Sequence, residues 1–251
     1  MSNERQAITI EEAADETNIH GATPLVNFNN KKIQDLIRKR GWFELDKPDR
    51  IRTAYDFCRQ EILFGYNRGG DAIPASEVLS EGIGQCNTKA ILFMALLRAM
   101  NIPCKLHAYT VDKRMQKGAV GRTAYLVAPN EIIHTTVEVG YGEGWVNLEG
   151  VILDDDYIAG VRALFSGHEG SFCGYAIGVE DFQNPPIAFQ GGDTAIQSTS
   201  IVRNLGVYST PDEFYAENGT NTTGLKKIMY KSILHRLMNR NVRKIRSKAV
   251  N

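Results

Sequence analysis

Between Ala90 and Leu97 the run AILFMALL contains no polar side chain, so a helix there has no face to offer to water. It is entered through Gly82-Ile83-Gly84-Gln85-Cys86 and stopped at Asn101-Ile102-Pro103, which predicts a buried helix starting at or beside Cys86. Upstream, Thr9 precedes the acidic stretch IEEAADE, and a second helical piece is predicted over 31–39, ending near Arg40-Gly41. Another helix is predicted over 51–64, where Ala54, Phe57, Cys58, Glu61 and Ile62 share a mostly apolar face. The glycines and proline of YNRGGDAIPA predict a loop, and Ser76 is placed as the cap of one short helical turn over 76–80.

Beyond the buried helix the pattern shortens. Strands are predicted over 104–111, 123–128, 133–139 and 144–148, with a glycine-rich turn over 140–144. One central helix followed by sequential strands is an α+β pattern and not a βαβ repeat. After Asp156 the polarity is irregular, and 167–178 and 184–192 read as long loops. Thr210-Pro211-Asp212-Glu213 predicts a helix start, with proline in the first turn and acids beside the positive end of the helix dipole. A long helix is predicted from about 225 to 248, with Leu225, Ile228, Met229, Ile233, Leu237, Met238, Val242 and Ile245 on a broad face and every charge basic. The expected organisation is a peripheral segment over 1–50, a core over 51–160, and a C-terminal extension over 161–251 packed on that core.

Composition narrows the functional classes. The 251 residues are 43% hydrophobic and 23% charged, which suits a globular chain able to bury a sizeable core. With 29 basic and 29 acidic residues the net charge is zero, so no nucleic acid is expected as a partner. The N-terminal residues have no signal-peptide pattern and no run approaches the length of a membrane span, so a cytoplasmic, bacterial-type protein is expected. Four cysteines, Cys58, Cys86, Cys104 and Cys173, are too widely spaced for a zinc site or a disulfide scaffold. Asp154-Asp155-Asp156 lacks the alternating spacing of a calcium loop. Neither a metal nor another cofactor is expected. The basic C-terminal helix could meet an anionic surface or a protein partner, or simply pack with a solvated basic back.

Cys86 carries the chemistry. Amides at a helix start have no intrahelical acceptor and the dipole is positive there, so a thiolate is favoured and its pKa is expected to fall. His134, opening the strand HTTVEV, is the candidate base, with His107 as its rival. The turn over 140–144 folds GWVNLE back beside that strand, bringing a carboxylate near Glu149 to the far ring nitrogen. Asp154 is the alternative carboxylate. Stabilisation of an oxyanion is assigned to the Cys86 backbone N–H with one upstream donor, from Gln85, Asn67 or the Tyr66 hydroxyl. Trp145 is placed at the cleft or in the core. Lys89 either raises the local positive potential or is structural.

Two blocks resemble the transglutaminase-like superfamily. The first is Gly84-Gln85-Cys86, Lys89-Ala90 and ALLRAMNIPCKLH. The second runs from His134 through Val137-Glu138-Val139 and Trp145-Val146-Asn147-Leu148 to Glu149, fifteen positions after the histidine. The family pattern has aspartate where this chain has Glu149, and an aromatic residue where it has Thr136. The resemblance covers about 50–160. It implies a papain-like/transglutaminase-like α+β core whose nucleophile helix packs on an antiparallel sheet. It also implies acyl chemistry on amides: thiolate attack gives a thioester, which water hydrolyses or an amine captures. Hydrolysis of a peptide, protein or small amide is the first expectation. Acyl transfer, or a binding scaffold that keeps the fold without catalysis, is the alternative.

Overall fold

The computed structural model describes residues 21–250, so the predicted helix start at Thr9 and the histidine His20 lie outside the described residues. Helix α1 spans Lys31–Lys39, capped by Asn30 and ended at Arg40, with Gly41 taking the positive φ of 67° that the turn needs. Helix α2 spans Lys47–Asp56 and is capped by Asp46, whose side chain accepts the Asp49 N–H. It therefore starts before the predicted residue 51. It continues as a π turn over Phe57–Glu61 and gives way at Ile62, where φ is −99° and ψ 93°. Leu63–Phe64 is not helical as expected but forms a two-residue strand, β1, because the Leu63 and Gly65 N–H groups donate to the Gly82 and Gly84 carbonyls at 3.0 and 2.9 Å, while Phe64 N–H donates to Asp154 Oδ2 at 2.8 Å.

Helix α3 spans Ala75–Glu81 and starts after Pro74, so Ser76 is not its cap. Ser76 instead donates its backbone N–H to Asn27 Oδ1, and its hydroxyl accepts from Asn27 Nδ2. Strand β2, Ile83–Gly84, runs parallel to β1 and leads into helix α4, Cys86–Ala99. Every residue from Ala90 to Leu97 is buried, as the apolar run requires. The same helix buries Lys89 completely, with its Nζ donating to the Val151 carbonyl at 3.0 Å.

Strand β3, Cys104–Asp112, pairs antiparallel with β4, Glu131–Tyr141, which turns at Gly142 into β5, Gly144–Asn147. Between them residues 122–127 are helical, not a strand: Arg122–Val127 forms helix α5. Short apolar runs are ambiguous between the two periods. Both edges of β3 are already taken, by β4 and by β8 over Ile201–Tyr208, so the sheet order is β5-β4-β3-β8 and 122–127 does not pair with β3. Strand β8 left no pattern to read, because most of its side chains are exposed on both faces and its register with β3 shifts twice. Helix and antiparallel sheet together make an α+β fold.

Helix α6, Asp155–Leu164, is capped by Asp154 and packs against the end of the chain. A two-stranded hairpin of β6, Phe172–Gly174, and β7, Ile177–Val179, occupies what reads in the sequence as loop. Helix α7, Pro211–Asn218, begins with the predicted cap, Thr210 and Glu213 closing a reciprocal capping box. The terminal helix is interrupted: α8, Gly224–Met229, passes through a π turn at Tyr230–Leu234 into α9, His235–Arg246. The extra residue of that turn divides the single predicted face in two. Met238, Val242 and Ile245 are buried, whereas Leu225, Ile228 and Ile233 face out. Among the described residues no helix is long and apolar enough to cross a membrane.

Contact between α6 and α9 depends on Gly160. A Cβ there would lie 2.2 Å from the Ile245 carbonyl oxygen and 3.2 Å from the Arg246 Cα. Backbone cannot yield as a side chain tip can, so Gly160→Ala is expected to destabilise the fold by about 1–3 kcal/mol, the usual range for overpacking. A urea midpoint unchanged from the parent protein would mean that the two helices are not in this contact.

Candidate active site

Cys86 opens helix α4 and is partly exposed. Gln85 caps that helix: its Oε1 accepts the Asn87 N–H at 2.9 Å, and its own N–H donates to Thr88 Oγ1 at 3.0 Å. The same Oε1 accepts the Cys86 thiol at 2.9 Å. Gln85 Nε2, the end that could stabilise an oxyanion, is held by Asp71 Oδ1 at 3.0 Å. Gln85 therefore shapes the nucleophile's surroundings as an acceptor and is not placed as an oxyanion donor.

Among the described residues the Cys86 backbone N–H donates no hydrogen bond, as its position at the helix start requires. Tyr66 lines the same cavity as Cys86. Its pKa is raised, first by burial and then by neighbouring Cys86. Its backbone is clamped by Asn239, which accepts the Tyr66 N–H at 2.7 Å and donates to its carbonyl at 2.9 Å. Asn67 does not face the cysteine. Fully buried, it donates to Glu81 Oε2 and the Ile83 carbonyl, both at 2.8 Å, and accepts the Thr88 hydroxyl at 2.7 Å. Each polar end of Asn67 is thus committed to the packing of α3 and α4. Of the three upstream candidates, Gln85 Nε2 and Asn67 are thus committed elsewhere, and Tyr66 lines the cavity.

His134 lies on β4 opposite Tyr109 and is completely buried. Its Nε2 meets Glu149 Oε1 at 2.8 Å. Glu149, 2% exposed, follows the end of β5. Its second oxygen, Oε2, accepts the Ile196 N–H at 2.8 Å and the Gln197 N–H at 3.1 Å. With Nε2 engaged, Nδ1 is the ring nitrogen left free, and it has no hydrogen-bond partner among the described residues. Burial alone would lower the His134 pKa. Neighbouring Cys86 and the bonded Glu149 carboxylate outweigh burial and raise the pKa to about 10.

Asp154 is elsewhere. Its Oδ1 accepts the Tyr157 N–H and Arg246 Nε, and its Oδ2 accepts the Phe64 N–H and Arg246 Nη2. It joins β1, α6 and the end of α9 and does not touch His134. The rival base His107 is also outside: its Nδ1 meets Glu138 Oε1 at 2.7 Å, its Nε2 meets Asn204 Oδ1 at 3.1 Å, and its ring stacks on Tyr109. Trp145 stands opposite Gly140, six residues along β4 from His134, so it is roughly 20 Å away at the usual strand rise. It covers the Lys105 ammonium at 4.2 Å and does not border the cleft. Lys89 is structural, and burial lowers its pKa to about 7 against the pull of Asp154.

Sequence reading missed two site residues. Asp71, in the loop before α3, lines the Cys86 cavity and accepts Gln85 Nε2 through Oδ1 and the Asn221 N–H through Oδ2 at 2.8 Å. Burial pushes its carboxyl up against the hydrogen bonds of Asn221, Asn87 and Gln85. Asn221 accepts the Ile133 N–H at 2.7 Å and donates to the Ile133 carbonyl at 3.2 Å, holding the strand residue before His134. Asn87 also donates to the Ile133 carbonyl, and it accepts the Thr135 hydroxyl. The only sequence signal for either residue was its place in a polar loop. The cavity encloses about 110 Å³, several times the roughly 10–15 Å³ that one water needs on this measure. Its walls beyond Cys86, Gln85 and Asp71 are mainly apolar, including Val111, Met115, Val120, Ile132, Leu234 and Met238. Among the described residues no group of three or more His, Cys, Asp or Glu could hold a metal ion.

Residues 36–150 match the family model described as "Transglutaminase-like superfamily". The chain is also similar to a solved structure titled a "putative cysteine protease" from Cytophaga hutchinsonii, with 16% identity and a TM-score of 0.39. That match covers 55% of this chain and spans 40% of the other chain's length. No curated protein matches the chain.

The raised pKa of His134 sets a pH signature. The ring is expected to stay protonated at neutral pH, and its folded-state stabilisation is complete below the unfolded pKa of about 6.5 and lost as pH rises towards about 10. NMR titration of the ring should show no transition near pH 6.5, and Cys86→Ala should move the transition down. A His134 that titrates near 6.5 in the parent protein, unmoved by Cys86→Ala, would break the proposed pairing.

Proposed function

Residues 36–150 being a transglutaminase-like core, we propose that the protein is a cysteine-dependent hydrolase of amide or peptide bonds, acting through a thioester acyl-enzyme. The observation that carries this reading is the buried His134–Glu149 pair, with one ring nitrogen held and the other free, on a strand whose Ile133 and Thr135 are both hydrogen-bonded to Asn87, the neighbour of Cys86. Cys86 is the nucleophile, His134 the proton carrier, and Glu149 the group that fixes the ring's tautomer and supports its charge.

In the first half-reaction the Cys86 thiolate attacks the amide carbonyl carbon, forming a C–S bond. The carbonyl oxygen takes up negative charge that the Cys86 N–H and the Tyr66 hydroxyl can receive. His134 gives its proton to the leaving nitrogen as the C–N bond breaks. In the second, water attacks the thioester while His134 takes a proton, the acid departs, and the thiolate is restored. The mostly apolar cavity supports a substrate with an apolar group next to the scissile carbonyl.

Two measurements test the reading. Iodoacetamide should label Cys86 faster than Cys173 near neutral pH, although Cys173 is the more exposed and Cys58 and Cys104 are buried. Label appearing first on Cys173 would argue for an inert thiol at 86. Against a panel of peptide and small amide substrates, His134→Ala should lower turnover by about 10²- to 10⁴-fold. Glu149→Gln should also lower it, and Asp154→Asn should act only through stability. Supplying a primary amine separates the two acyl reactions, since an amide product in place of the free acid would make the enzyme a transferase.

A further inference from the structure

The outer surface of the terminal helix is unused by the site. From residue 224 to 248 the chain has nine lysines and arginines and no acidic residue. Among the described residues only Arg246 of these forms an ion pair, with Asp154. Between the cations stand large apolar side chains that the fold leaves in the open: Leu225 is 84% exposed, Ile228 63% and Ile233 57%. Single exposed leucines are ordinary, but a run of them on one basic helix is not.

Helix α5 extends the patch, with Leu126 69% exposed. Between α5 and the terminal helix runs a groove of about 560 Å³ lined by Arg122, Arg240 and Lys244 together with Leu234 and Leu237, and no carboxylate lines it. Three cations facing one groove without a counter-charge suit a phosphodiester, and the apolar neighbours suit the acyl chains attached to it. A nucleic acid would use the cations and gain nothing from exposed leucine and isoleucine.

We propose that this surface docks the protein on a bilayer containing anionic phospholipid. The exposed apolar side chains enter the interface, and Arg122, Arg240 and Lys244 receive lipid phosphate. Val127, Lys226 and Met229 also border the Cys86 cavity, so docking brings the rim of that cleft to the lipid surface. The surface stands apart from the acyl chemistry and is tested without it.

The test is co-sedimentation of the full chain with vesicles of equal phosphatidylglycerol and phosphatidylcholine, against vesicles of phosphatidylcholine alone. Binding to the anionic vesicles is expected to be at least tenfold tighter and to weaken at 0.5 M salt. Arg240→Glu with Lys244→Glu, and separately Ile228→Glu with Ile233→Glu, should each reduce it at least tenfold. These side chains are on the surface, and thermal melts should match the parent. Charge reversal of Lys39, at the end of α1 and outside the groove lining, should leave binding intact. No binding to anionic vesicles would overturn the proposal, as would equal binding to both kinds. So would indifference to the isoleucine changes, complete competition by millimolar inorganic phosphate, or a stable dimer that the isoleucine changes dissociate.

Discussion

A helix without a water-facing side constrains everything around it. Because α4 is buried along its length, the strands β3 and β4 must cover it on one side and the N-terminal helices on the others. At its beginning polar groups have to be supplied, since the first amides of a helix lack internal acceptors. Gln85 and Thr88 meet that need, and Cys86 sits among them with its own N–H free. The burial that fixes the helix therefore also fixes where the sulfur can be. Lys89 shows how strict the enclosure is, because even its ammonium is turned to backbone carbonyls.

Glu149 is the second constraint. A carboxylate 2% exposed is costly unless both oxygens find donors. His134 supplies one, and the Ile196 and Gln197 amides supply the others. Those amides come from beyond residue 190, and Asn221, which steadies Ile133 and Asp71, comes from later still. Residues 51–160 by themselves would leave Glu149 Oε2 and Asp71 Oδ2 without these partners. The polar groups beside the sulfur are completed by chain that the apolar pattern does not connect to it.

This explains what could be read in advance. The buried helix, the cysteine at its start and the β4–β5 hairpin are local in sequence and periodicity displays them, and the family resemblance implies the fifteen-residue step from His134 to Glu149. Asp71, Asn221 and strand β8 depend on partners far along the chain. Strand β8 has no buried face to produce alternation, and Asn221 looks in sequence like any other polar loop residue. Asn67 and Asp154 misled for the opposite reason. Both lie close in sequence to the site, yet each carries a full set of hydrogen bonds to other elements. Polar type and proximity do not reveal whether a side chain is already satisfied.

The substitution of glutamate for aspartate in the family pattern follows from where residue 149 stands. Strand β5 ends at Asn147, and Glu149 has left the sheet, with φ −79° and ψ −29° in the helical region. The extra methylene therefore requires no shift within the β4–β5 ladder. Its N–H is held by the Thr194 carbonyl at 3.2 Å, and the carboxylate reaches back to the ring from outside the strand. Having two oxygens, it can orient His134 and anchor the 194–197 segment at once. The same segment carries Gln197, which borders the cavity beside Cys86. A buried ring nitrogen without a partner is expensive, and with Nε2 taken by Glu149 that expense falls on Nδ1.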